Sequence, residues 1–185
     1  VPRFPGTAYE GHCAVLAEGR HCSVPLTRRP RSSQWPTGAA VRNGAFTQSK
    51  EYAGLAHLYE HMFFKSNDDY PGDEEFVARA SELGAIYNAS TREEVVNYYL
   101  TVPADSLAGA LRFIESAFRA PHFDRNELER ERQVVIGEYD RQESSPFFAL
   151  LQGMDRAMWG SEVSRKNTIG DRDVILSTTP EKMKE

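Results

Sequence analysis

The sequence predicts an α+β fold in which several helices pack on one face of a small, largely antiparallel sheet. Two observations carry that expectation. Across residues 95–102 the side chains alternate with period two, placing Val96, Tyr98, Leu100 and Val102 on one face, as a strand requires. Before and after that stretch the apolar residues instead recur every three to four positions, as amphipathic helices require.

Each element follows in order. Residues 1–38 hold Pro2, Pro5, Pro25, Pro30 and Pro36 and little alternation, so only short strands are expected there, around 13–17 and 39–41. A helix is predicted over 50–64, capped by Ser49, with Leu55, Leu58, Tyr59 and Met62 at helical spacing. The polar run 67–72 ends it. A second helix spans 73–83, with Phe76, Val77, Ala80 and Leu83 on its stripe and Gly84 as the stop. Residues 86–90 and 95–102, joined by polar 91–94, read as a β-hairpin closed by Pro103. Helix returns at 105–119, with Leu107, Leu111, Ile114 and Phe118 as its stripe, then at 125–142 and 146–159. Thr179-Pro180-Glu181 starts another.

The 185 residues are 40% hydrophobic, enough for a core, and 26% charged with a net charge of −5. That balance gives no reason to expect nucleic acid as a partner. No apolar run approaches the roughly 20 residues of a membrane span. The first residues lack the apolar segment of a signal peptide, so any export signal is expected to be removed or upstream. The compartment stays open, the lean being toward an extracytoplasmic bacterial setting. Cys13 and Cys22, each preceded by a histidine, are compatible with a disulfide, with two free thiols or with a small metal site.

The chemistry concentrates at His57-Leu58-Tyr59-Glu60-His61. With about 100° per helical residue, His57 and His61 lie some 40° apart on one face, where two imidazoles can bind one Zn²⁺. Glu60 falls on the other side of His57, placed as a general base for a zinc-activated water. This H-x-x-E-H order inverts the commoner zinc peptidase motif, although a surface helix with histidines also produces it. A third ligand is needed. Glu131 and Glu138, seven residues apart, project from nearly the same face of the 125–142 helix. That helix is also compatible with a solvated face of i,i+3 and i,i+4 pairs, but Glu138 sits among Val134, Val135, Ile136 and Tyr139, where a bare carboxylate is costly.

The segment Gly54-Leu55-Ala56-His57-Leu58-Tyr59-Glu60-His61-Met62-Phe63-Phe64-Lys65 closely resembles the metal helix of the pitrilysin family of zinc metallopeptidases, which includes insulin-degrading enzyme and the mitochondrial processing peptidases. The resemblance covers 41–185. It implies His57, His61 and Glu138 as zinc ligands, Glu60 as general base, and Glu131 as a support that hydrogen-bonds a ligating imidazole. It further implies that a peptide substrate adds to an edge strand at Asn88, Ala89 and Ser90. The implied function is zinc-dependent endopeptidase, the alternative being a non-catalytic partner or binding subunit that keeps the fold. The expected organisation is an irregular segment at 1–40 and a zinc-binding peptidase domain at 41–185, truncated at its C-terminal end. The resemblance leads us to expect a second homologous domain outside these 185 residues, as a partner domain or subunit.

Overall fold

The alternation at 95–102 becomes strand β5, Val96–Pro103, whose Val96, Tyr98, Leu100 and Val102 are all buried. It is the middle strand of a three-stranded sheet, flanked by β3 (Gln34–Val41) and by β4 (Ile86–Thr91), which forms the edge. The computed structural model describes residues 10–16, 20–26, 34–164 and 167–185. β3 runs antiparallel to β5, with Gln34 opposite Pro103 and Val41 opposite Val96. It is longer than the 39–41 strand expected. Small Thr37, Gly38 and Ala39 hide its period, and a Cβ on Gly38 would lie 2.3 Å from the Tyr98 carbonyl oxygen. The close approach of two strands, rather than side-chain patterning, defines β3 there.

Within the segment expected to be irregular, β1 (Glu10–Leu16) and β2 (Arg20–Leu26) pair antiparallel as a separate two-stranded sheet. Their residues do not alternate apolar and polar, which leaves no period-two signal to read. The register sets Cys13 opposite Ser23 and Cys22 opposite Ala14, so the cysteines are one step out of direct pairing.

The chain divides into two compact units. In the unit that holds the sheet, α2 (Asp73–Glu82) buries Phe76 and Ala80, whereas Val77 is exposed. There α3 (Leu107–Arg119) packs on β3 and β5. Its buried residues are Ala110, Phe113, Ile114, Ser116 and Ala117. Of the predicted stripe Ile114 is buried, Leu107, Leu111 and Phe118 are half-buried, and Phe118 packs edge-on against Tyr98. Small alanines let the helix sit close to the strands, and Phe113 fills the space beside Phe76, ring centroids 4.4 Å apart.

The second unit holds most of α1 (Leu55–Phe63), with α4 (Arg125–Glu143), α5 (Pro146–Ser164), α6 (Arg172–Ser177) and α7 (Pro180–Met183). Its core joins Leu55, Leu58 and Met62 of α1 to Leu128, Val135 and Ile136 of α4, with Ile169, Ile175 and Met183 completing it. The Asp124 side chain caps α4 by accepting from the amides of Asn126 and Glu127. Thr179 caps α7 with Pro180 in its first turn, as the sequence predicts. α5 breaks its helical backbone at Gly160 (φ 72°) and exposes Phe147, Leu150, Leu151, Met154 and Met158. Among the described residues no helix is long and apolar enough to cross a membrane.

Candidate metal centre

The helix carrying the histidines begins later than the periodicity predicts. Lys50–Tyr52 is a short 3-10 turn, Ala53 is extended, and Gly54 adopts φ 97°, so α1 starts at Leu55. The left-handed backbone at Gly54 is one that glycine alone adopts without strain. A Cβ on Gly170 would stand 2.1 Å from the Gly54 Cα, so the two backbones touch directly. The Asp171 amide donates to the Ala53 carbonyl at 3.1 Å, and Gln48 Oε1 accepts from the Gly54 amide at the same distance. The start of α1 is thereby pinned to the loop that leads into α6.

From that anchor the helical period does the rest. Leu55, Leu58 and Met62 face the core, which turns His57, Glu60 and His61 toward the other side. On α4, Leu128, Glu131 and Val135 are buried on one face, and Glu138 continues it one turn further. The two helices bring three donors together. Nε2 of His57 lies 3.5 Å and Nε2 of His61 3.9 Å from Oε2 of Glu138, and one ligand atom from each residue falls within 4.8 Å of the others. Ligands bound to a tetrahedral zinc at about 2.0–2.2 Å stand roughly 3.3 Å apart. The donors therefore need only small side-chain shifts to close on an ion, and the set of two imidazoles and a carboxylate fits zinc. The histidine side chains are 17% and 18% exposed and Glu138 38%, so the cluster opens to solvent on the carboxylate's side.

Glu131 and Glu60 flank that triad on its own two helices. Glu131 is buried, and its Oε2 lies 3.1 Å from Nδ1 of His61. Nδ1 of His57 is buried with no hydrogen-bond partner among the described residues. Burial, then the neighbouring His61, pushes the His57 pKa down to about 4. Burial also opposes charge on His61, but the hydrogen bond to Glu131 and the carboxylates of Glu138, Glu131 and Glu60 outweigh it and raise its pKa. Glu60 is not one of the three clustered donors. Burial raises its pKa, against the opposing effect of the Thr91 hydroxyl, which donates to Glu60 Oε2. Asn88, Ala89 and Ser90 all lie in β4, at the sheet edge.

Thr91 is the neighbour that sequence reasoning missed. Its partner is 31 residues away, and no helical or strand spacing connects the two.

The family described as Insulinase (Peptidase family M16) matches residues 24–171. The chain belongs to that insulinase family. The match takes in β3, ahead of the 41–185 region in which the resemblance was read, and members of the insulinase family are zinc metalloproteases. The chain is 31% identical to the insulin-degrading enzyme of Homo sapiens over 152 residues, which are 82% of this chain and 15% of that enzyme. It is 29% identical to coenzyme PQQ synthesis protein F of Pseudomonas putida over 144 residues, 76% of this chain and 18% of that protein. It thus spans less than a fifth of the length of either relative. A protease from Helicobacter pylori shares the fold with a TM-score of 0.82 at 21% identity, over 96% of this chain and 42% of that one. The fold also matches a domain from Pseudomonas fluorescens described as an inactive insulinase-family domain, with a TM-score of 0.79 at 16% identity, over 94% of this chain and 42% of that one.

Proposed function

We propose that this insulinase chain carries the zinc-binding half of an endopeptidase that hydrolyses peptides or unstructured segments. The observation that carries the reading is the convergence of His57 Nε2 and His61 Nε2 on Glu138 Oε2, at 3.5 and 3.9 Å, with Glu60 on the same helix. His57, His61 and Glu138 would hold the ion. When bound, zinc supplies Lewis acidity to a water and to the scissile carbonyl.

The chain's own residues supply the proton chemistry. The Glu60 carboxylate accepts a proton from the attacking water and returns it to the leaving amine nitrogen. A half-buried carboxylate whose pKa is raised by burial is a stronger base than one in water, which suits that task. Glu131 holds His61 through Nδ1, leaving Nε2 for the ion. The β4 edge offers main-chain groups to an extended peptide at Asn88, Ala89 and Ser90. A second homologous domain or subunit is the partner we expect beside this chain, since it covers only 42% of a longer protease whose fold it shares.

A second reading has its own support: the same fold occurs in a domain described as inactive, so a non-catalytic partner role is compatible with the architecture. Retention of His57, Glu60, His61 and Glu138 together favours the enzyme. Two substitutions in the full-length protein separate the readings. Glu138→Ala should lower bound zinc from one per chain, and Glu60→Gln should keep the zinc and reduce peptide cleavage by about 10²- to 10⁴-fold. Cleavage that survives Glu60→Gln removes this site from the reaction.

A further inference from the structure

The Thr91 hydroxyl donates to Oε2 of Glu60. Threonine and serine hydroxyls more often turn back onto their own backbone. Here Ser116 donates to the Phe113 carbonyl, Ser177 to that of Asp173, and Thr178 to that of Val174. Thr91 instead reaches across 31 residues of sequence to a carboxylate.

The backbone that presents Thr91 is itself held. The Arg92 amide donates to the Val95 carbonyl at 2.9 Å, closing a turn directly after it. The carbonyls of Arg92 and Glu93 accept from the amides of Ala45 and Phe46, at 3.3 and 2.7 Å. Gly44 makes that docking close: a Cβ there would fall 2.3 Å from the Arg92 carbonyl oxygen. The hydroxyl is therefore offered from the residue directly before an anchored turn, and a donor on a held backbone restricts its partner's rotamer.

We propose that Thr91 is a positioning residue for the general base, holding Glu60 through one carboxylate oxygen and leaving the other to take the proton of the attacking water. The inference rests on the reading of Glu60 as that base. A carboxylate free to rotate would present either oxygen at varied distances, and small misplacements of a catalytic group are costly in rate.

The test uses the full-length protein with Thr91→Val, which keeps the shape and removes the hydroxyl, beside Thr91→Ser, which keeps the hydroxyl. Valine should lower kcat about 10- to 100-fold with little change in KM, with zinc per chain unchanged. Serine should restore most of the rate, and a crystal structure of the valine variant should show Glu60 in a different rotamer. An unchanged kcat, a rise in KM alone, loss of zinc, or a serine variant no better than valine overturns the proposal. Glu60→Gln run in parallel separates the two levels. If Glu60→Gln abolishes cleavage while Thr91→Val is silent, only the positioning role fails. If Glu60→Gln retains cleavage, the general-base reading fails and the positioning role falls with it.

Discussion

Nδ1 of His61 faces Oε2 of Glu131 at 3.1 Å, whereas Nδ1 of His57, one helical turn earlier, has no hydrogen-bond partner among the described residues. The two imidazoles are equivalent in the motif and inequivalent in the fold. Glu131 is buried on α4, and its carboxylate fixes the tautomer and ring orientation of His61 alone. Replacing Glu131 with alanine strands a buried imidazole nitrogen and removes a charge that strengthens the ligand. Zinc affinity should fall roughly 10- to 100-fold, with Glu131→Gln in between because it keeps a hydrogen bond without the charge. Competition titration against a chromogenic chelator measures this. Equal affinity in all three proteins would reduce Glu131 to a packing residue.

The same inequivalence sets opposite pH behaviour in the metal-free protein. Burial and then His61 lower the His57 pKa to about 4, below its unfolded value near 6.5, so neutral His57 contributes stability above pH 6.5. That contribution is lost as the pH falls from about 6.5 toward 4. His61 is raised despite burial, because the Glu131 hydrogen bond and the surrounding carboxylates win. Its contribution is present below about 6.5 and is lost as the pH rises through the folded value. Metal uptake must displace the His61 proton, so zinc binding should tighten with rising pH and release protons. Imidazole NMR titration of the metal-free protein should find His57 titrating far below His61, and the reverse order would contradict this account.

Legibility in the sequence followed the source of each constraint. Where a residue answers to its own element's period, the pattern was readable. β5 alternates because one face is buried, and His57, Glu60 and His61 share a helix whose apolar stripe sets their direction. Glu131 and Glu138 were readable as same-face partners for the same reason, but their meeting with α1 was a tertiary fact supplied only by resemblance. Features fixed by contact between distant segments left no periodic trace. The break at Gly54 answers to Gly170, the strand at β3 answers to the β5 backbone, and Thr91 answers to Glu60. On α3 the predicted stripe of Leu107, Leu111, Ile114 and Phe118 holds one fully buried residue, Ile114, because close packing on the strands turns Ala110 and Ala117 inward.

Leu58 separates the scaffold's contribution from the chemistry. It lies between the two histidines in sequence, is fully buried, and belongs to the core that joins α1 to α4. Leu58→Ala leaves every ligand in place but opens a cavity behind them, and should cost roughly 2–5 kcal/mol of stability. Val134, 49% exposed on α4, provides the control. Val134→Ala should change stability by less than about 0.5 kcal/mol. Urea denaturation of the two variants checks the contrast. Comparable midpoints would mean that the α1–α4 contact does not support the fold.

Gly170 touches no candidate ligand, yet its backbone sets where the metal helix begins. Its φ is 89°, and an added Cβ would meet the Gly54 Cα at 2.1 Å and the Ala53 carbonyl oxygen at 2.5 Å. Both contacts are backbone, so no side-chain rotation relieves them, and the left-handed conformation adds its own strain of about 1–3 kcal/mol. Gly170→Ala must therefore push the loop before α6 away from the start of α1. The Asp171–Ala53 hydrogen bond is the first to open, and the anchor that sets the direction of His57 loosens. The variant should lose stability and also bind zinc more weakly than an equally destabilised variant altered away from this contact. Leu58→Ala is the wrong comparison, because Leu58 lies in the metal helix itself. Leu100→Ala, at a buried position of β5 that leaves the glycine contact intact, is the better one. Zinc titrations at matched fractions of folded protein make the comparison. If Gly170→Ala binds zinc as tightly as Leu100→Ala, the glycine contact serves folding alone and does not set the geometry of the ligands.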